Sequence, residues 1–334
     1  VIRTSDDVIP PLDETGSVLR REALEHGLTP EDIRQLVRTG VWVRIRRGAY
    51  ARRSSWGSLS PERRHLVTAR AVLRSLDEPC ILGHVSAAVA LGLPTWGADL
   101  RTVHVIRPSA RHGSRLEAGV AHHSATLPEE HITEVDGMLV TTAARTVLDH
   151  ARSSSFEAGV VTADAALHRG LTSPRELLEL LLWQQEWPGS RIASRVVAFA
   201  DRDAESPGES RGRVRISQAR LPRPQLQVEI WDPSGILLGR ADFLFDGHHT
   251  IGEFDGRIKY GIAGSGPQAA EVLWQEKLRE DALRALGYEV VRFTWDDLER
   301  SPAWLRSKFL AAFARAKGRV PTGLAIPRGG RGRV

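Results

Sequence analysis

The sequence predicts an α+β chain of several domains, on three observations. Two short amphipathic helices and an alternating hairpin stand near the N-terminus, a mostly helical stretch follows, and a run of alternating strands closed by two helices stands near the C-terminus. At 334 residues, 41% of them hydrophobic, the chain exceeds one ordinary domain and can fill two or three cores.

The first domain is expected over 14–53. Glu14 to Glu25 carries Val18, Leu19, Ala23 and Leu24 and stops at Gly27, a frequent helix terminator. Thr29 then offers an N-cap, Pro30 suits the first helical position, and Asp32 stands where a capping box places its acid. Ile33, Leu36 and Val37 form the inward stripe of this second helix, which ends before Gly40. Val41, Val43 and Ile45 alternate with Trp42, Arg44 and Arg46, and Arg47-Gly48 turns the chain back through Ala49-Tyr50. The arrangement is a winged helix-turn-helix.

The second domain, 60–200, reads as mostly helical. Ser60-Pro61-Glu62 starts one helix and Ser173-Pro174-Arg175-Glu176 another, while Thr102–Ile106 and Met138–Val140 suggest a small sheet. A polar connector around Ser206-Pro207-Gly208 leads into a third domain over 205–316. Its strands are expected at Gln225–Trp231, Gly239–Phe245, Thr250–Phe254 and Glu289–Thr294, and its helices at Gln268–Leu286 and Pro302–Ala316. The Gly- and Arg-rich tail, 317–334, reads as disordered and basic.

One cysteine, Cys80, rules out an internal disulfide framework and a cysteine-based zinc site. The polar start has no apolar run of the signal-peptide kind, and no stretch approaches the roughly 20 apolar residues of a membrane-spanning helix. These features lead to the expectation of a cytoplasmic protein without a membrane partner. The formal charge of +5 suits a polyanion but is weak on its own. More telling, Lys259, Lys277, Lys308 and Lys317 are the only lysines among 46 cationic residues.

Arg34 and Arg38 lie one turn apart with Gln35 beside them, opposite the apolar stripe of the second helix. Arginine pairs with guanine edges and glutamine with adenine edges in the major groove, so this face is a candidate reader of double-stranded DNA. Arg44, Arg46 and Arg47, with Arg52 and Arg53, are placed on the wing to meet phosphates.

A second candidate lies between Arg240 and Lys259. A turn centred on Gly247-His248 sets Asp242 directly opposite Glu253. Period two then puts Asp255 on the same face as Glu253, so three carboxylates converge where like charges repel unless a cation joins them. Such hard oxygen ligands suit Mg2+ or Mn2+. Lys259 on the same strand parity and Lys277 on the following helix stand out in a chain whose default cation is arginine. Lysine can help position or activate water.

Other residues carry less. His84 is expected to cap or pack in a helix, and the pairs His122-His123 and His248-His249 read as loop residues, without a matching third ligand. Trp42, Trp96, Trp183, Trp187 and Trp274 read as core or interdomain packing.

Two family resemblances follow. Leu28 to Arg34 and Val43 to Tyr50 resemble the N-terminal winged helix of AbiEi-type antitoxins from type IV toxin-antitoxin systems. Gly83 to Pro94 and Val140 to Asp149 look like the rest of that module. This resemblance implies a bacterial transcriptional repressor that binds operator DNA, with a cognate toxin as a partner. Glu209 through about Leu298 resembles the PD-(D/E)XK restriction-endonuclease-like α/β fold, in its Vsr-related branch, through Asp242, Glu253-Phe-Asp-Gly256 and Gln275 to Asp281. In that fold a helix acid, Glu209 here, joins the strand carboxylates around Mg2+, which activates water for attack on a phosphodiester. The match departs twice: Ala241 replaces the proline, and Asp255 stands where the lysine belongs. Either Lys259 or Lys277 supplies the amine, or the domain is a non-cleaving scaffold in a purely regulatory repressor. The sequence leaves both readings, the operator and the oligomeric state open.

Overall fold

The computed structural model describes residues 16–109, 113–256 and 267–328. They form two compact units, one of 1–162 with 171–197 and one of 163–170 with 198–334. The N-terminal elements and most of the expected middle domain thus share one unit.

The first unit begins with β1 (Ser17–Leu19), α1 (Arg20–Glu25), α2 (Pro30–Arg38), β2 (Trp42–Arg46) and β3 (Ala49–Arg52). The first helix is therefore shorter than expected; residues 14 and 15 lie outside the described residues. Val18 and Leu19 instead extend and pair with Tyr50 and Ala49, giving the sheet order β1-β3-β2. Their ladder pairing and burial outweigh weak helix propensity. Glu22 then closes the shortened helix by accepting from Leu19 N–H at 2.8 Å.

Thr29 caps α2, accepting from Asp32 N–H at 3.2 Å while the Asp32 carboxylate accepts from Thr29 N–H at 2.8 Å. The Thr29 hydroxyl, which donates to the Asp32 carboxylate at 2.6 Å, and then the Thr29 N–H hold the Asp32 carboxyl below its usual range. The core here joins Val18, Ala23, Leu28, Ile33 and a fully buried Trp42. Each fully buried aliphatic side chain contributes about 1.5–3 kcal/mol. Val41 stays exposed.

There follow α3 (Arg53–Ser58), α4 (Pro61–Ser75), β4 (Ile81–Leu82), α5 (His84–Ala90), β5 (Val103–Pro108), β6 (Gly113–Glu117) and β7 (Val120–Ala125). Next come β8 (Ile132–Val135), β9 (Met138–Thr141), α6 (Ala143–Ser153), α7 (Phe156–His168), α8 (Pro174–Trp183) and α9 (Ser190–Phe199), the last residues of α7 and α9 belonging to the second unit. The expectation of a mostly helical domain with a small sheet understates the strands, which form a six-stranded mixed sheet in the order β6-β7-β5-β4-β9-β8. Strands as short as the two residues of β4 leave no period to read. Ala69, Val72, Leu82, Ala87, Val103, Val105 and Val140 form its core. Trp183 is 42% exposed rather than packed away.

The second unit holds α10 (Pro207–Gln218), β10 (Gln225–Trp231), β11 (Leu237–Phe245), β12 (Thr250–Asp255), α11 (Pro267–Ala285), β13 (Glu289–Thr294), α12 (Trp295–Glu299), α13 (Pro302–Ala316) and β14 (Leu324–Ile326). The sheet runs β13-β12-β11-β10-β14, antiparallel except for the β12–β13 pair. Part of the tail expected to lack structure is therefore ordered: Leu324 to Ile326 pair with Trp231 to Glu229. That edge carbonyl and amide row gives even a short segment a ladder. Residues 329–334 lie outside the described residues. Trp274, expected inside, is 55% exposed on α11.

Helix α10 is buried along most of its length although it reads Glu-Ser-Arg-Gly-Arg. Its charges are paired: Arg213 to Asp164 at 2.6 Å, and Arg211 to Glu299 at 2.9 Å. Its close approach to the sheet depends on Gly208, where a Cβ would meet Phe254 Cε1 at 1.9 Å. Gly212, one turn on, faces Phe243 and Phe293.

Candidate functional site

Two surfaces answer to the sequence-predicted residues, one in each unit. In the first, Arg34, Gln35 and Arg38 are exposed together on α2. Arg34 donates to Glu31 at 2.9 Å through Nε, and Arg38 contacts Gln35. Both ties are local and solvent-exposed, so each costs little to exchange for a ligand. Arg44 and Arg47 are exposed on the hairpin. Arg46 departs from the expected phosphate-facing row: it is half-buried and donates to Ser75 Oγ at 2.9 Å. Irregular pairing between Arg44 and Arg46 breaks the alternation that would have turned it outward.

In the second unit, the β11–β12 hairpin pairs Phe243 with Gly252, Leu244 with Ile251 and Phe245 with Thr250. The loop is a tight turn over Asp246–His248 closed by left-handed His249 (φ 47°), longer than a two-residue turn but with the same centre. The expected register therefore stands. Asp242, Glu253 and Asp255 line one cleft of about 120 Å3.

The cleft is also lined by Glu276 and Arg279 from α11, inside the Gln275 to Asp281 stretch that carries the resemblance but given no role there, and by Arg292 from β13, which the sequence reading missed. Parallel pairing sets Glu253 directly beside Arg292, whose Nε lies 3.5 Å from the Glu253 carboxylate and 3.1 Å from Glu280. Arg279 binds the other Glu253 oxygen. The arginine passes over Gly239, where a Cβ would lie 2.7 Å from Nη1. At φ 151° that backbone also suits glycine alone. A polar residue inside the apolar strand Glu-Val-Val-Arg-Phe-Thr was the available signal for Arg292.

Asp242 has a different environment. Its Oδ2 accepts from Phe254 N–H at 2.8 Å. Burial, together with the carboxylates of Glu209 and Glu253, pushes its pKa up to about 7. Glu209 acts on Asp242 through charge but does not line the cleft: its oxygens accept from Glu205 N–H at 3.0 Å, Ser206 Oγ at 2.7 Å and Gln227 Nε2 at 2.7 Å. It closes the N-terminus of its own helix. Lys277 is exposed and absent from the lining, and Lys259 lies outside the described residues. The lining thus sets four carboxylates against two guanidiniums, an excess of negative charge that a divalent cation would balance.

Among the described residues, no helix is long and apolar enough to cross a membrane. Of the histidines expected in loops, His248 and His249 do lie in the turn between β11 and β12, whereas His122 and His123 are on β7, and His104 of β5 supplies a third imidazole beside His84 and His123.

Over 239 residues the chain is 29% identical to an uncharacterized protein of Mycobacterium tuberculosis strain H37Rv, covering 70% of this chain and 83% of that protein. An uncharacterized protein of strain CDC 1551 is matched with the same identity and coverage. Residues 13–53, the segment of α1, α2 and the hairpin, match the family described as transcriptional regulator, AbiEi antitoxin.

Proposed function

We propose that this chain is a DNA-binding transcriptional regulator of the AbiEi antitoxin type, which grips duplex DNA with a winged helix formed by α1, α2 and the β2–β3 hairpin. The observation that carries the reading is the coincidence of the family match over 13–53 with the exposed trio Arg34, Gln35 and Arg38 on α2. Arginine and glutamine one turn apart present the donors and acceptors that base edges require. Arg44 and Arg47 on the hairpin supply phosphate contacts. A cognate toxin is the protein partner this reading implies.

The second unit is proposed as a PD-(D/E)XK, Vsr-like domain whose cleft holds Mg2+ or Mn2+ on Asp242, Glu253 and Asp255. The excess of carboxylate over guanidinium in the lining favours that ion. When bound, such an ion lowers the pKa of a coordinated water toward attack on a phosphodiester. Asp242 is the residue with most to gain, since its charge is the least compensated.

A second reading, in which the cleft is catalytically silent, is favoured by one observation: the cation facing Glu253 from α11 is Arg279, not a lysine. Arginine holds its proton throughout the working range and cannot serve as a base.

Incubating the full chain and an Asp242→Ala/Glu253→Ala variant with plasmid and short duplexes, in Mg2+, Mn2+ or EDTA, separates the readings. Metal-dependent nicking lost in the variant makes the protein a nuclease. Gel shift without nicking makes it a regulator with a silent fold, and absence of any shift at low salt removes DNA from the account.

A further inference from the structure

Away from both surfaces, α5, β5 and β7 of the first unit bring three imidazoles together. His84 starts α5; His104 and His123 sit on neighbouring parallel strands, where His104 pairs with Ala121 and Ile106 with His123, so both point to one face. One ring nitrogen from each of the three lies within 4.8 Å of the other two. The His84 and His123 rings stack at 4.0 Å between centroids, and His104 Nδ1 lies 3.0 Å from His123 Nε2. Metal–nitrogen bonds of about 2.0–2.1 Å at tetrahedral angles set ligand nitrogens roughly 3.4 Å apart, within the range this cluster already spans.

We propose that His84, His104 and His123 form a three-histidine site for a divalent first-row transition ion, Zn2+ in the first instance, with its fourth position open to a cavity of about 240 Å3.

The surroundings fix the ligands as such sites require. His84 Nδ1 lies 3.0 Å from Ser153 Oγ, and that hydroxyl already donates to Asp149 O at 2.8 Å. The shared proton therefore belongs to His84 Nδ1, which leaves Nε2 with its lone pair. An outer hydrogen bond that selects the tautomer is the usual support of a metal-bound histidine. His84 is buried and His104 and His123 are partly buried, surroundings that favour the neutral imidazole. Neutral imidazole is the form that binds metal.

Beyond His84 and His123, the cavity is lined by Asp149, Arg145 and Arg152. Asp149 bonds both arginines, at 2.7 and 2.6 Å. The residual positive charge there favours an anionic fourth ligand. On the other side, buried His150 presents an Nε2 without a hydrogen-bond partner and lines a second cavity with His84 and His104.

The test titrates EDTA-stripped full-length protein with Co2+ at neutral pH, in excess Mg2+ so that the carboxylate cleft of the second unit is blocked. Expected is one equivalent of Co2+ with the intense visible bands of a four- or five-coordinate nitrogen site, displaced by Zn2+ and untouched by Mg2+. His123→Ala should weaken binding on the order of 100-fold and Ser153→Ala about 10-fold, while exposed His26→Ala leaves it unchanged. Wild-type protein that takes up no Co2+ or Zn2+ beyond what Mg2+ displaces overturns the proposal. So does tight binding that survives both His84→Ala and His123→Ala. The wild-type titration decides even where a variant fails to fold.

Discussion

Asp242 Oδ2 accepts a 2.8 Å hydrogen bond from the backbone N–H of Phe254, across the hairpin and one residue beyond its directly opposed partner Glu253. The bond ties the carboxylate to the strand that carries Glu253 and Asp255. Burial and charge oppose it, and the balance gives a titration that can be measured.

The pKa of Asp242, pushed up to about 7 from an ordinary 3.8, means that the folded state binds a proton the unfolded chain has already lost. Stability from this group is highest below pH 4 and falls as pH rises toward 7, then levels off. Asp242→Asn should therefore raise Tm above pH 7 and have little effect near pH 4. Thermal unfolding across that range checks it; an Asn variant less stable at pH 8 than wild type would contradict the sign. Mg2+ should stabilise wild type at pH 8 and leave the variant nearly unmoved.

Arg279 is paired with Glu253 and would compete with the proposed metal ion for that carboxylate. Arg279→Ala should raise affinity for Mn2+ by several-fold, read by calorimetry, because it removes a cation from the cleft. Arg279→Lys should fall between. Weaker Mn2+ binding in the alanine variant would mean that the arginine holds Glu253 in a metal-ready position instead.

The approach of α10 to the sheet allows no side chain at Gly208, where a Cβ would overlap Phe254. Gly208→Ala should cost about 1–3 kcal/mol, by chemical denaturation monitored in the second unit. It should also displace Glu209 and so lower the Asp242 pKa.

Much of the second unit was legible because its elements obey one period each. β10, β13 and α13 have the boundaries the sequence predicts, and the hairpin register follows from the position of its turn. The partners of Glu253 were not legible. Arg279 and Arg292 are 26 and 39 residues away, joined to it only by the parallel β12–β13 crossover, and no local pattern specifies which strand lies beside β12. Of the two lysines singled out for their rarity, Lys277 lies off the cleft lining and Lys259 is outside the described residues. Near the N-terminus, the pattern of Val18 and Leu19 predicts helix, and pairing with Tyr50 and Ala49 makes them strand instead. The histidines failed for the same reason: His84, His104 and His123 are separated in sequence and become a cluster only when β5 and β7 lie side by side.

The reading face of α2 and the hairpin make different predictions for the same titration. If exposed Arg34 and Arg38 contact base edges as proposed, Arg34→Ala/Arg38→Ala should flatten the preference for a specific duplex over a scrambled one, at about 1–3 kcal/mol per lost bidentate contact. On the same proposal Arg44 and Arg47 meet phosphates, so Arg44→Ala and Arg47→Ala should each weaken binding to all sequences alike and reduce the slope of log K against log salt by about 1. Arg46→Ala should change that slope less, because its guanidinium is turned onto Ser75. Fluorescence anisotropy over a salt series, with duplexes drawn from the DNA upstream of the gene, separates the two sets. If the hairpin variants relax specificity while the α2 variants change only the salt slope, the helix lies along the backbone and the wing enters the groove.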